Sequence, residues 1–430
     1  MASAPRDFER RSWTWMCIQG RRLELSLTAG TFAVFSLCRE VFNPLSPTLV
    51  GAVSLSMLLC QPGWRRGLAS HLLNNRREAR LRHVFWYCDV VGRGGHLPRL
   101  VSVRDFPAGR SYYLELPTGL YLESFERRLP ELTAAFSARA IRVQPSGKSA
   151  RFVEMTVTYD DAFRREYPSP LLNARASSLW EPVVLGVGED GAPISINLFE
   201  HNLLIGGEPG SGKSVALSSI VAAAALDPSV HLVLLDGKEV ELSLWLDVAG
   251  QFVGRSQDDA IRALEDVQAE MDDRYRELSA YRKRKIERSG RQGLILVVVD
   301  ELALYLRGGE KALRDRFADL LRDLISRGRA AGVIVVAATQ KPSHEIVPTF
   351  IRDLFAYRLA LRCTSPEASD TILGQGWASQ GFSAAVIDPQ HRGVGYLLAE
   401  GGVPRQMLSA NIRDDDLARL VERAVKARFS

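Results

Sequence analysis

Leu203-Leu204-Ile205-Gly206-Gly207-Glu208-Pro209-Gly210-Ser211-Gly212-Lys213-Ser214 decides how this chain is read. An apolar, strand-like run leads in, an apolar helical pattern leads out, and the loop between fits GxxxxGK[ST]. Each residue type in that pattern has a physical task. The glycines let backbone N–H groups close around phosphate oxygens, and the start of the following helix favours negative charge. Lys213 reaches the β- and γ-phosphates, and the Ser214 hydroxyl ligates Mg²⁺. Gly207, Glu208, Pro209, Gly210, Ser211, Gly212, Lys213 and Ser214 are therefore the expected nucleotide-binding residues.

Such a loop needs a carboxylate at the end of a neighbouring strand to orient the metal. Leu294-Ile295-Leu296-Val297-Val298-Val299-Asp300-Glu301 supplies it, after an intervening strand pattern and a long helix pattern. Asp300 is the expected Mg²⁺ residue. Glu301 is placed as the general base that polarises the attacking water, which suits an ATPase motor better than a GTP switch. The next strand pattern ends at Ala337-Ala338-Thr339-Gln340-Lys341-Pro342. Gln340 is a candidate sensor able to hydrogen-bond the γ-phosphate or the water. The plainer alternative is an ordinary polar residue in a strand-end turn.

Around these motifs, from Glu181 onward, short Val/Ile/Leu-rich runs alternate with helical patterns, which predicts an α/β domain with a mostly parallel sheet. Strands are expected at 203–206, 231–235, 294–299, 333–338 and 358–361, and helices at about 258–288, 310–327 and 414–428. Residues 111–167 read as a small α/β adaptor: a strand at 112–116, a helix at 122–138, and strands at 140–143 and 151–159 that form a hairpin. A Pro- and Ser-containing stretch, 168–180, reads as a linker.

Residues 181–408 resemble the motor domain of the FtsK/SpoIIIE family, hexameric ATPases that pump double-stranded DNA. The resemblance is carried by the P-loop, by Pro182-Val183-Val184-Leu185-Gly186, and by Leu235-Asp236-Gly237-Lys238 with Glu241-Leu242-Ser243. Val299-Asp300-Glu301, Gly328-Arg329-Ala330-Ala331-Gly332, Ala338-Thr339-Gln340-Lys341-Pro342 and Asp370-Thr371-Ile372-Leu373-Gly374-Gln375-Gly376 complete it. It implies a RecA-like motor over 181–430, ATP and Mg²⁺ as cofactors, a homo-hexameric ring and loops that grip the duplex backbone. It also implies an arginine donated to the neighbour's site. The matching residue is Arg358, with Arg362 and Arg329 as runners-up; the alternative is that Arg358 pairs with an acid such as Asp353.

Chromosome-segregating members add a multi-span anchor, a long linker and a C-terminal winged helix. With the sequence ending at Ser430, no such reader is expected. A small anchor, short adaptor and single motor look more like transfer proteins of conjugative and integrative elements. A segregation pump, a secretion ATPase that moves polypeptide, and a non-enzymatic scaffold with a relic site remain the alternatives.

Composition places these pieces. The 430 residues allow two or three domains, and a 46% hydrophobic content is ample for a core. Five scattered cysteines without a CxxC pair exclude a disulfide framework, and seven histidines form no HExxH. The net charge of +5 is uneven: residues 1–110 carry 16 Arg and no Lys against 7 acids. That flank suits anionic lipid or nucleic acid, or reflects codon bias. After a basic segment, 1–22, residues 23–62 hold two apolar stretches, 23–38 and 45–60, joined by a turn at 39–44. Each stretch spans only about 24 Å as a helix against a hydrocarbon core of about 30 Å. Arg10, Arg11, Arg21 and Arg22 precede the pair, and Arg65, Arg66, Arg76 and Arg77 follow it. That is the positive-inside pattern of a membrane hairpin with both ends, and hence the motor, on the cytoplasmic side of a bacterial cell membrane. Two buried helices of a soluble domain are the alternative reading. Residues 63–110 are expected to be a basic connector.

Overall fold

The computed structural model describes residues 77–146, 149–161, 163–174 and 176–429. The expected membrane hairpin at 23–62 lies outside them, as does the basic segment 1–22. Among the described residues no helix is long and apolar enough to cross a membrane. The chain divides between Asp161 and Ala162 into two compact units.

In the first unit, a helix at 77–87 (α1) precedes a four-stranded antiparallel sheet of order β1-β2-β4-β3. Its strands are β1 (Arg99–Phe106), β2 (Gly109–Glu115), β3 (Ala140–Pro145) and β4 (Phe152–Thr158). Alternation places Val153, Met155 and Val157 of β4 inward, beside Tyr112 and Leu114 of β2. Phe85 of α1 packs into the same core with Phe125 and Phe136. The β3–β4 hairpin is as expected. Two expectations change. Residues 77–110 are part of this folded unit rather than a connector: β1 pairs along β2, and a register shift between Leu100 and Ser102 breaks the alternation that would have revealed it. The single helix at 122–138 is two, α2 (Leu122–Glu126) and α3 (Leu129–Phe136). Pro130 sits in the first turn of α3, where it needs no N–H donor, and cannot continue α2.

The second unit is built on a ten-stranded sheet of order β6-β5-β14-β13-β12-β7-β11-β10-β8-β9. The parallel strands are β7 (Leu203–Gly206), β8 (His231–Leu235), β9 (Gln251–Val253), β10 (Ile295–Val299), β11 (Val333–Thr339) and β12 (Tyr357–Leu361). An antiparallel wing the sequence did not suggest adjoins β12: β13 (Val394–Leu398), β14 (Arg405–Ser409), β5 (Val183–Gly188) and β6 (Pro193–Ile196). Helices cover both faces, so successive residues of the central strands are buried on opposite sides. Leu296 and Val298 pack with α4 (Lys213–Ala225) and with α10 (Asp414–Phe429), which follows the short α8 (Thr349–Arg352) and α9 (Pro366–Leu373) in the chain. Ile295, Val297 and Val299 pack with α5 (Gln257–Ala280) and α7 (Lys311–Ala331).

Two local departures have clear causes. α5 stops at Ala280, short of the expected 288, because Arg282 takes a left-handed conformation (φ 53°). The N–H groups of Arg282 and Lys283 then bond back to Ser279 O (3.1 Å) and Leu278 O (2.8 Å), a Schellman closure made without glycine. The expected linker 168–180 packs against its own motor. Ser169 N donates to Asn411 O, and Leu179 N to Asp227 Oδ2. Arg423 of α10 donates to the carbonyls of Leu171, Leu172 and Ala174. At the far end of α10, Arg428 donates to Ala225 O and Val230 O at 2.9 Å, and to Ala224 O and Asp227 O at 3.0 and 2.9 Å. These include carbonyls that the C-terminus of α4 leaves without intrahelical partners.

Candidate active site

The P-loop crosses from the end of β7 to the start of α4 and is pinned on three sides. Gly207 N donates to Thr339 O at the end of β11 (3.2 Å), Glu208 N to Arg362 O just past β12 (2.9 Å), and Gly393 N to Ser211 O (2.8 Å). Gly212 needs to be glycine twice over: its φ is 100°, and a Cβ would lie 2.6 Å from Gly393 N. α4 is apolar all round because it is buried, so the loop is anchored to a rigid helix.

Lys213, the first residue of α4, is almost wholly buried, and its Nζ donates to Asp300 Oδ1 and to Asp300 O, each at 2.6 Å. The carboxylate arrives there because β10 runs parallel to β7 one strand away, with β11 between them. Asp300 has no exposed surface, and its Oδ2 has no hydrogen-bond partner. A buried carboxylate oxygen without a donor is costly unless a cation takes it, so the residues present fit Mg²⁺. Among the described residues no group of three His, Cys, Asp or Glu is placed to hold a metal ion by itself. A cation held by Asp300 and Ser214 would complete its shell with phosphate oxygens and water, which is the habit of Mg²⁺. Ser214 lies part-buried in the first turn of α4.

Glu301 follows on the same strand end and starts α6 (Leu302–Arg307) as its N-cap. Its Oε1 accepts from Thr339 Oγ1 (2.9 Å), Gln340 N (3.2 Å) and Ala303 N (3.4 Å). Its Oε2 has only a share of the Gln340 N–H (3.1 Å), which leaves lone-pair capacity for a water. The structure thus brings Lys213, Asp300, Glu301 and Gln340 together, with Gln340 contributing its backbone N–H. Thr339, unremarked in the sequence reading, is the residue that orients Glu301. It is fully buried, and its Oγ1 also accepts from Lys341 N (3.2 Å). The signal for it was in the Ala338-Thr339-Gln340 element, but only strand pairing shows which side chain faces the acid.

Arg358 stands apart. It is the second residue of β12, level with Leu204 of β7, whereas Arg362 beyond the strand's other end touches the P-loop. The two are four steps apart along the strand, about 13 Å. Arg358 Nη1 lies 3.6 Å from Asp353 Oδ1, while its Nε is buried without a partner. Burial lowers the guanidinium pKa, the neighbouring Arg352 adds to this, and Asp353 opposes it. Arg329 pairs with Glu200 at 3.2 Å on the surface. Arg362 Nη2 lies 2.8 Å from Glu208 Oε1, a cis contact the sequence gave no reason to expect.

The remaining motif residues are structural. Asp236 accepts from the N–H groups of Lys238, Glu239 and Leu242 and so builds the turn after β8. Asp370 does the same for Gly376 and Ala378.

Residues 171–376, which hold this whole arrangement, match the sequence model of the FtsK/SpoIIIE family. This stretch is an FtsK/SpoIIIE-family domain. A DNA translocase FtsK of Staphylococcus epidermidis is 27% identical over 313 residues, 66% of this chain and 38% of the relative. That of Lactococcus lactis subsp. cremoris is 30% identical over 345 residues, 73% of this chain and 43% of the relative. The chain thus spans about two fifths of the length of these curated relatives. In fold, the FtsK/SpoIIIE domain and its surroundings are similar to the pCW3 conjugation coupling protein TcpA, solved with ATPγS. The TM-score is 0.54 at 21% identity, over 82% of this chain and 99% of that one. EssC of Geobacillus thermodenitrificans gives 0.50 at 13% identity, over 61% of this chain and 51% of that one.

Proposed function

We propose that the protein is an ATP-driven translocase of double-stranded DNA, working as a homo-hexamer at a bacterial cell membrane and used in conjugative transfer. The observation that carries the ATPase reading is the convergence of Lys213, Asp300 and a Thr339-oriented Glu301 beside the P-loop. Relatedness to DNA translocases supports duplex DNA as the substrate. Likeness over nearly the whole length of a conjugation coupling protein supports the transfer role above chromosome segregation.

In this reading Lys213 exchanges its contact with Asp300 for the β- and γ-phosphates as ATP enters. Asp300 and Ser214 hold Mg²⁺, which when bound compensates charge on the phosphate oxygens. Glu301 Oε2 accepts a proton from the attacking water while Thr339 and Gln340 keep the carboxylate in place. Arg358 reaches the neighbouring subunit's site, and residues 23–62 attach the ring to the membrane.

The test is duplex binding and ATP turnover by the full chain in detergent. Binding is expected to ignore sequence and to fall steeply with salt, because a moving ring must grip phosphates. Lys213→Ala should lose turnover, and Glu301→Gln should bind ATP and stall. Base-specific footprints, or wild-type turnover by Glu301→Gln, would contradict the assignment. Membranes washed with carbonate should retain the full chain; its release would remove the hairpin anchor.

A further inference from the structure

Glu208 places a carboxylate one residue inside a loop built to receive a triphosphate. Like charge at that position opposes the ligand unless something neutralises it. The structure ties Glu208 to one residue at two points, a backbone hydrogen bond and a counter-charge. Glu208 N donates to Arg362 O (2.9 Å), and Arg362 Nη2 lies 2.8 Å from Glu208 Oε1. Both side chains are about four-fifths buried, at 21% and 20% exposure, so the pair is less screened than a surface bridge. The pair lies on the β12 side of the loop, where the Glu208 carboxylate is close enough to the buried Cys363 thiol to help raise its pKa.

We propose that Arg362 is a positioning residue that neutralises Glu208 and holds its carboxylate against the end of β12, clear of the nucleotide phosphates. This rests on the reading of the loop as an ATP site. It gives Arg362 a task inside its own subunit, while Arg358, at the other end of the same strand, serves the neighbour's.

The test measures ATPγS affinity and the KM and kcat of ATP turnover for the full chain in detergent. Arg362→Ala leaves Glu208 uncompensated and should weaken ATPγS and raise KM about tenfold at low salt, with kcat changing less than about threefold. Raising salt should shrink the loss. The decisive variant is the double Glu208→Ala/Arg362→Ala. With the carboxylate gone the arginine has nothing to neutralise, so affinity should return to within about twofold of Glu208→Ala alone.

If the double variant binds as poorly as Arg362→Ala, Arg362 acts on the nucleotide directly or through the fold, and the proposal fails. Unchanged affinity in Arg362→Ala also overturns it. Should thermal unfolding show that Arg362→Ala is misfolded, Arg362→Lys, which keeps the charge, and the exchanged pair Glu208→Arg/Arg362→Glu decide instead. Near-normal ATPγS binding in both supports neutralisation, and loss in both refutes it. Lys213→Ala separates this question from the prior one: wild-type ATPγS binding there would refute the nucleotide site itself.

Discussion

Replacing Thr339 by valine keeps the branched shape of a fully buried side chain and removes one hydroxyl. In the structure that hydroxyl donates to Glu301 Oε1 at 2.9 Å and accepts from Lys341 N at 3.2 Å. A hydrogen bond to a charged acceptor contributes about 1.5–3 kcal/mol. What remains for Oε1 is a pair of longer bonds, from Gln340 N at 3.2 Å and Ala303 N at 3.4 Å. The carboxylate is then free to turn away from the water. If the orientation matters chiefly in the transition state, the same 1.5–3 kcal/mol appears as a loss of about 10- to 150-fold in kcat. KM should change little, since the substitution keeps the Thr339 carbonyl that accepts from Gly207 N and removes only the hydroxyl facing Glu301. Steady-state ATP turnover of Thr339→Val against Thr339→Ser measures this, because serine keeps the hydroxyl and should recover most of the rate. A Thr339→Val enzyme with wild-type kcat would show that the hydroxyl does not set the base, and Glu301 would lose the support the structure gives it.

Three further outcomes are expected. Arg428→Met removes four hydrogen bonds to carbonyls around the end of α4 and should destabilise the second unit by about 3 kcal/mol, lowering its melting temperature by about 6–12 °C in a calorimetric scan; an unchanged melting temperature would mean water replaces those bonds at no cost. Burial pushes the Cys363 thiol up to about 12, with the Glu208 carboxylate adding to it, so at pH 8 only about one thiol in 10⁴ is ionised. The peptide carrying Cys363 should resist iodoacetamide in the native protein and react on denaturation, as read by mass spectrometry. Arg358→Ala and Lys213→Ala should each be inactive alone. In mixed rings about a quarter of interfaces would pair an intact Lys213 with an intact neighbouring Arg358, so turnover should return on mixing; its absence in rings shown to be mixed would leave Arg358 as a partner of Asp353.

Local pattern reached some of this architecture and not the rest. The P-loop was legible because its chemistry depends on residues adjacent in sequence, and the Val/Ile/Leu runs of β8, β10 and β11 were legible because burial on both faces makes them continuously apolar. Asp300 and Glu301 could be assigned because they end such a run. Thr339 could not, since its role depends on β10 pairing beside β11 with Val299 level with Ala337, a long-range register that no local period encodes. The Glu208–Arg362 pair joins residues brought together only by β12 lying next to β7. The antiparallel wing was hidden for a related reason. Of its strands, β5 carries two glycines and β6 is four residues long, too little pattern to stand out from a loop. In the first unit, the bulge in β1 erased the alternation by which edge strands are found.

The central claim is that ATP hydrolysis at Lys213, Asp300 and Glu301 moves duplex DNA. Displacement of a labelled third strand from a duplex tests it most directly, using the full chain in detergent with ATP and Mg²⁺. The account predicts displacement that requires flanking duplex and hydrolysable ATP, is indifferent to the flanking sequence, and is abolished by Glu301→Gln while ATP binding persists. Duplex-stimulated ATP turnover with no displacement, or displacement that survives Glu301→Gln, would contradict it.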